Sequence, residues 1–151
     1  MSARPVRIVI DTSVFIRYLI RPSEAIRHLI EEQWLRDQII VISAPELMEE
    51  LRGVLERKVI QAYIHPEDGK FLLEVLQSKA KFTPPLGVIP SYTRDSKDDK
   101  FVACAIAGQA SYLITEDKDL LTLREIVSLK IVTPYELFTS SISPKTSGVK
   151  G

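Results

Sequence analysis

Residues 6–10, Val6-Arg7-Ile8-Val9-Ile10, run directly into Asp11-Thr12-Ser13. Apart from Arg7 every residue of that run is β-branched and apolar, the composition of a strand buried on both faces. Strands of this kind belong to parallel sheets covered by helices. The run then stops at a carboxylate followed by two hydroxyl residues. In open α/β sheets, ligands sit beyond the carboxyl ends of the strands, so Asp11 falls where chemistry is usually done. It fits equally well as the cap of the helix that follows. The choice turns on whether other acids converge on the same place.

The rest of the chain repeats the alternation. Val14 to Ile20 continues as apolar helical turns that break at Arg21-Pro22. Ser23 is a natural N-cap for a helix to about Arg36, with Ile26, Leu29, Ile30 and Trp34 on its inner face. His28 lies among charged neighbours and reads as a surface residue. Residues 38–43 form a second buried strand. Ser43-Ala-Pro-Glu46 then resembles a capping box opening a helix to about Arg57, with a stripe of Leu47, Met48, Leu51, Val54 and Leu55. Residues 58–64 are a break. Pro66-Glu67-Asp68 starts another helix, to about Ala80, with acids where the helix dipole favours them. Prolines and polar residues make 81–97 mostly loop, with a short strand expected at Leu86 to Ile89. A helix over 98–107 is apolar nearly all round, hence central and buried, and Gly108 stops it. A strand at 111–115, a short helix at 119–123, a strand at 130–132 and a helix opened by Thr133-Pro134-Tyr135-Glu136 complete the pattern. From Ser140 the chain turns to Ser, Pro, Thr, Lys and Gly, a composition expected to be disordered. Strands alternating with helices predict a three-layer α/β/α sandwich around a parallel sheet of about five strands.

Composition narrows the chemistry. With 151 residues the chain fits one domain. Lys plus Arg and Asp plus Glu balance at 20 each, which argues against a bulk electrostatic nucleic-acid binder but not against local patches. The single cysteine, Cys104, lies in an apolar helical run and reads as a buried structural thiol. One cysteine and two histidines put the usual zinc sites out of reach, so a bound metal would be a hard ion held by oxygen. No signal peptide and no apolar run of membrane-spanning length is apparent, which makes the cytoplasm the expected compartment.

Four acids stand out by position. Asp11 ends the first strand, and Asp117 follows the strand at 111–115. Asp99 opens the buried helix within Arg94-Asp95-Ser96-Lys97-Asp98-Asp99-Lys100-Phe101, and Glu50 lies on the helix after the second strand. At roughly 100° per residue, Glu50 borders the apolar stripe, Glu49 points away from it, and Glu46 is off the stripe with a capping role. Each acid also has a plainer reading as a helix cap, a first-turn acid or a solvated flank. Together those plainer readings need separate reasons for acids at the same ends of neighbouring elements. Converging carboxylates stay ionised only beside a cation. Oxygen-only ligands select Mg²⁺ or Mn²⁺, and such ions typically engage phosphate oxygens and activate water for phosphodiester hydrolysis. Arg17, Arg52, Arg94, Lys97 and Lys100 are candidate grips for a phosphate backbone, each also readable as ordinary surface.

Ile-Val-Ile-Asp11-Thr-Ser-Val-Phe, Ser43-Ala-Pro-Glu-Leu-Met-Glu-Glu50-Leu, Arg94-Asp-Ser-Lys-Asp-Asp99-Lys-Phe and Ile114-Thr-Glu-Asp117-Lys-Asp-Leu-Leu resemble the successive motifs of a PIN domain. The nearest resemblance is to PIN-family proteins assigned as toxins of toxin–antitoxin systems, related to VapC toxins. It runs from about Val6 to Phe138, within a domain taken as residues 1–139, with 140–151 as a tail. The resemblance implies a Mg²⁺- or Mn²⁺-dependent ribonuclease with Asp11, Glu50, Asp99 and Asp117 as its catalytic and metal-binding quartet. Thr12, Ser13 and Thr115 match hydroxyl residues beside the family's acids, while Asp119, Asp95 and Asp98 would assist from further out. The Ser43 motif is one residue longer than expected, which keeps Glu46 open as the site glutamate. The resemblance also implies an RNA substrate, a small antitoxin partner and a homodimer.

Two rivals differ in kind. A phosphatase of the haloacid-dehalogenase type also starts from an acid at the end of the first strand, but it wants a second Asp where this chain has Ser13. A PIN-like RNA-binding or scaffold module without turnover is expected to have lost some of the acids, and all four positions are filled.

Overall fold

The computed structural model describes residues 5–140, so the remainder of the expected tail lies outside the described residues. In chain order the elements are β1 (Val6–Ile10), α1 (Thr12–Ile20), α2 (Glu24–Arg27) running into a π-helical segment (His28–Trp34), β2 (Ile39–Ser43) and α3 (Pro45–Leu55). There follow α4 (Lys58–Gln61), α5 (Pro66–Lys79), β3 (Lys81–Phe82), a 3₁₀ turn (Ser96–Asp98), α6 (Asp99–Ala107) and β4 (Tyr112–Ile114). The chain closes with α7 (Lys118–Leu121), β5 (Glu125–Ile126), β6 (Leu129–Val132) and α8 (Pro134–Thr139).

The sheet order is β3-β2-β1-β4-β6-β5, parallel throughout except for the last strand. β1 is central, with Ile8 opposite Val41 on one side and Tyr112 on the other. Its alternation sorts the two layers, because successive side chains of a strand point to opposite faces. Ile8 and Ile10 join Val14, Phe15, Trp34, Leu51 and Leu72 in one core. Val9 joins Ile42, Phe101, Val102, Ala105 and Leu113 in the other. Each fully buried aliphatic chain contributes roughly 1.5–3 kcal/mol, so a sheet covered on both faces holds the fold. Cys104 is fully buried in the second core, where burial pushes its thiol up to about 12.

Arg7, the one charge in β1, is explained by the far end of α6. Its Nε and Nη2 donate to the carbonyl of Gly108 at 3.1 and 2.7 Å. That is a favourable place for a cation, because helix carboxyl ends carry unpaired carbonyls.

Several local expectations are corrected. Leu86 to Ile89 is not a strand; the chain pairs earlier, with Lys81 and Phe82 beside Ile42 and Ser43. The antiparallel β5 makes six strands rather than five. The expected helix to Arg36 widens into a π segment from His28, closed by Leu35 N–H to Ile30 C=O and Gln38 N–H to Gln33 C=O. His28 is half-buried and packs edge-on against Phe138. At α3 the cap residue is Ala44, with no side-chain bond. The box at Thr133 and Glu136 forms as the residues suggest.

The topology also fixes where a ligand would go. The chain winds from β1 outward through β2 to β3, then returns to place β4 on the other side of β1. Such a reversal opens a crevice at the carboxyl ends of the two central strands. Asp11 follows β1 and Asp117 follows β4.

Candidate active site

Asp11 caps α1 and faces the crevice with the same side chain. Its Oδ1 accepts from Ser13 N at 3.0 Å, and its Oδ2 accepts from Thr115 Oγ1 at 2.6 Å. The Thr115 hydroxyl in turn accepts from Asp117 N at 2.9 Å. One hydroxyl therefore couples the ends of β1 and β4. Asp11 is only 5% exposed; burial raises its carboxyl above the usual value, although the bonds from Thr115 and Ser13 pull the other way. Asp117 caps α7, its Oδ1 accepting from Asp119 N and Leu120 N at 2.8 and 3.3 Å. Capping does not exclude a ligand role, since an ionised carboxylate has about four lone-pair sites and these bonds use only part of them. Thr12 is buried beside Asp11 at the start of α1, whereas Ser13 is exposed.

The third acid of the crevice comes from the 3₁₀ turn. Asp98 is pushed up to about 7, first by desolvation and then by the charges of Asp117, Asp95 and Asp11. Its Oδ2 is buried without a hydrogen-bond partner. Carboxylate oxygens of Asp95, Asp98 and Asp119 lie within 4.8 Å of one another. Of the five aspartates that three separate segments bring to the sheet's carboxyl end, Asp95, Asp98 and Asp119 are grouped closely enough for one ion, and the charges of Asp11 and Asp117 act on Asp98.

Asp99, expected among the site acids, is bonded to the loop before it. That residue, 4% exposed, turns into the preceding loop, where its Oδ1 accepts from Tyr92 N, Thr93 N and Thr93 Oγ1 at 3.0, 2.8 and 3.0 Å. Its neighbour Asp98 faces Asp11 and Asp117 instead. Glu50 pairs with Lys100, whose ammonium also donates to the carbonyl of Lys97 at 3.1 Å. Glu46 accepts from Leu86 N at 2.9 Å, and its Oε1 is buried without a partner. Of the proposed backbone grips, Arg17 is held by Glu116 at 2.8 Å and Lys100 by Glu50. Neither cation is free in the way the sequence suggested.

The cluster fits a divalent cation. An acceptor oxygen buried without a donor, set among like charges, is costly unless something positive satisfies it. The available donors are carboxylate and hydroxyl oxygens, the set that suits a hard ion.

Set beside known families, residues 7–119 match the PIN domain. The chain belongs to the PIN-domain family. PIN domains are generally nucleases, and a cluster of acidic residues is present in this one. The uncharacterized protein MJ1680 of Methanocaldococcus jannaschii is 28% identical over 146 residues, covering 90% of this chain and 92% of that protein. Among solved structures, VapBC2 from Rickettsia felis, bound to a DNA fragment from its promoter, superposes with a TM-score of 0.55 at 14% identity, over 83% of this chain and 97% of that one. That likeness shows the shared PIN fold. The PIN domain of human SMG5 gives a TM-score of 0.47 at 15% identity over 87% and 96% of the respective chains. Among the described residues of this PIN domain, no helix is long and apolar enough to cross a membrane.

Proposed function

We propose that this PIN domain is a Mg²⁺- or Mn²⁺-dependent endoribonuclease, acting in the cytoplasm as the toxin of a toxin–antitoxin pair, as a homodimer restrained by a small antitoxin. The observation that carries the nuclease reading is Asp98 Oδ2, buried, unpartnered and facing the charges of Asp11 and Asp117. Asp95, Asp98 and Asp119 offer oxygens within 4.8 Å of one another for an ion, and Asp11 and Asp117, whose charges act on Asp98, would share in holding it. A bound divalent ion at such a site lowers the pKa of its water and offsets charge on a phosphodiester.

The protein's own residues do the positioning. Thr115 fixes the Asp11 carboxylate against the Asp117 backbone, so the two strand ends keep one spacing. Asp99 braces the loop at Tyr92 and Thr93, and through it the turn that carries Asp95 and Asp98. Glu50 acts through Lys100, which ties α3 to the carbonyl of Lys97 in that same turn. In this reading Asp99 and Glu50 are positioning residues, and Asp98 takes the ligand role that the sequence suggested for Asp99. The R. felis complex supports the toxin–antitoxin reading by fold alone.

Titrating Mn²⁺ into the wild type, Asp11→Asn, Asp98→Asn and Asp99→Asn, with cleavage of single-stranded RNA as readout, tests this. Asp11→Asn and Asp98→Asn are expected to lose more than the roughly 10–100-fold that removal of an outer partner costs. Asp99→Asn keeps an acceptor oxygen for Tyr92 and Thr93, so it is expected to retain most activity. Full cleavage by Asp98→Asn together with its loss in Asp99→Asn would return the ligand role to Asp99.

A further inference from the structure

A cavity of about 500 Å³ lies two strands away from Asp11 on the same rim of the sheet, with Lys118, Thr122, Arg124, Thr133 and Glu136 in its walls. Its position follows from the topology. Thr133 leaves the carboxyl end of β6, the strand beside β4, and Thr115 N donates to Val132 C=O at 2.9 Å. Because β5 runs antiparallel, Arg124 returns to that same end, its carbonyl accepting from Ile131 N at 2.8 Å. Lys118 sits between Asp117 and Asp119 on α7. Neighbouring strands are about 4.8 Å apart, so the cavity opens roughly 10 Å along the rim from the acidic crevice.

Its charge is opposite to the crevice's. Lys118 and Arg124 are both exposed, and neither side chain makes an ion pair or hydrogen bond among the described residues. This sets them apart from Arg17 and Lys100, whose charges are already matched. Glu136 is an acid in the wall, but its Oε1 accepts from Thr133 N in the capping box. Arg124 is held at φ 60, a left-handed conformation that a non-glycine residue adopts only where its surroundings impose it. Here the hydrogen bond to Ile131 imposes it.

The geometry points to this cavity as a backbone-phosphate subsite for single-stranded RNA, with Lys118 and Arg124 gripping a phosphate next to the linkage held at Asp11, Asp98 and Asp117. The inference rests on the nuclease reading and adds to it a direction, since the strand runs from the crevice across α7 toward β5. A polyanion entering a cluster of aspartates needs compensating charge close by; Lys118 and Arg124 supply it on the β6 side, as Arg94 and Lys97 can on the side of the turn that carries Asp95 and Asp98.

The test measures binding of a labelled single-stranded RNA of about 10 nucleotides across a salt series. The RNA has a non-hydrolysable backbone of unchanged charge and Mn²⁺ is held constant, so that the crevice keeps its ion while no strand is cut. Each phosphate contact with a single strand contributes about 0.7 to the slope of log K against log salt. Lys118→Gln with Arg124→Gln, which together release that one phosphate, is therefore expected to flatten the slope by about 0.7. Arg36→Gln with Lys130→Gln removes the same charge at the amino ends of β2 and β6 and is expected to leave the slope unchanged. Thermal melts of both pairs report folding, and Arg124→Lys is expected to restore most of its share of the slope. Tight parent binding with equal slopes in all variants overturns the subsite and leaves the nuclease reading standing. No binding of the RNA by the parent overturns both.

Discussion

In the folded chain Asp98 holds its proton up to about pH 7, whereas an ordinary aspartate loses it near 3.8. Between those values the folded state binds more protons than the unfolded one. Stability from this group is therefore full below about 3.8 and declines as pH rises through 7. Asp98→Asn should abolish that decline in ion-free protein. After discounting for the solvent around this half-buried group, the gain at neutral pH is on the order of 1 kcal/mol, a Tm rise of roughly 2–4 °C. Melts of the two proteins in EDTA near pH 5 and near pH 7.5 check it; the same Tm difference at both would mean that Asp98 is not crowded by its neighbours. Asp98 and Asp99 are also where the sequence stopped being decisive. Both open the same helix one residue apart, and either could face the crevice. What separates them is Thr93, whose hydroxyl and N–H draw Asp99 into the loop, and no periodicity reports a partner six residues upstream. Asp11 and Asp117 stood out because the first ends an apolar run and the second follows one by a few residues.

Between elements, the carboxyl end of α6 lies close against β2. A Cβ on Gly108 would lie 2.3 Å from Ile42 Cγ2, and Ile42 is a β-branched side chain, 2% exposed, in the second core. It has no room to turn aside. Gly108→Ala is expected to destabilise by about 1–3 kcal/mol and also to disturb the Arg7 bonds to the Gly108 carbonyl, which a urea titration would register as a lower midpoint. An unchanged midpoint would mean that α6 can shift on the sheet at little cost. Gly108 read in the sequence only as a helix stop, since its closeness to Ile42 depends on how the layers stack. The long periodic elements were legible for the converse reason: β1, β2, α3 and α5 carry their pattern locally. The two-residue strands β3 and β5 carry none and exist only because β2 and β6 offer them partners.

For the whole molecule, the acidic crevice predicts that a divalent ion stabilises the fold. Mn²⁺ at about a hundred times its dissociation constant adds about 2.7 kcal/mol, a Tm rise of roughly 5–10 °C. Most of that rise should vanish in Asp98→Asn, and a Tm indifferent to Mn²⁺ in the wild type would remove the ion from the account. The layer order was legible as a class, because alternating strands and helices leave few other packings. The antiparallel return of β5 was not, since a hairpin with Val127 at φ 57 has no glycine to announce it. That return has a consequence for crowding. Both margins of the sheet are only two residues long, Lys81–Phe82 and Glu125–Ile126, and each carries a charge. Margins so short give a neighbouring chain almost no ladder to extend, so copies packed together at high concentration should meet through side chains and be slow to seed fibrils.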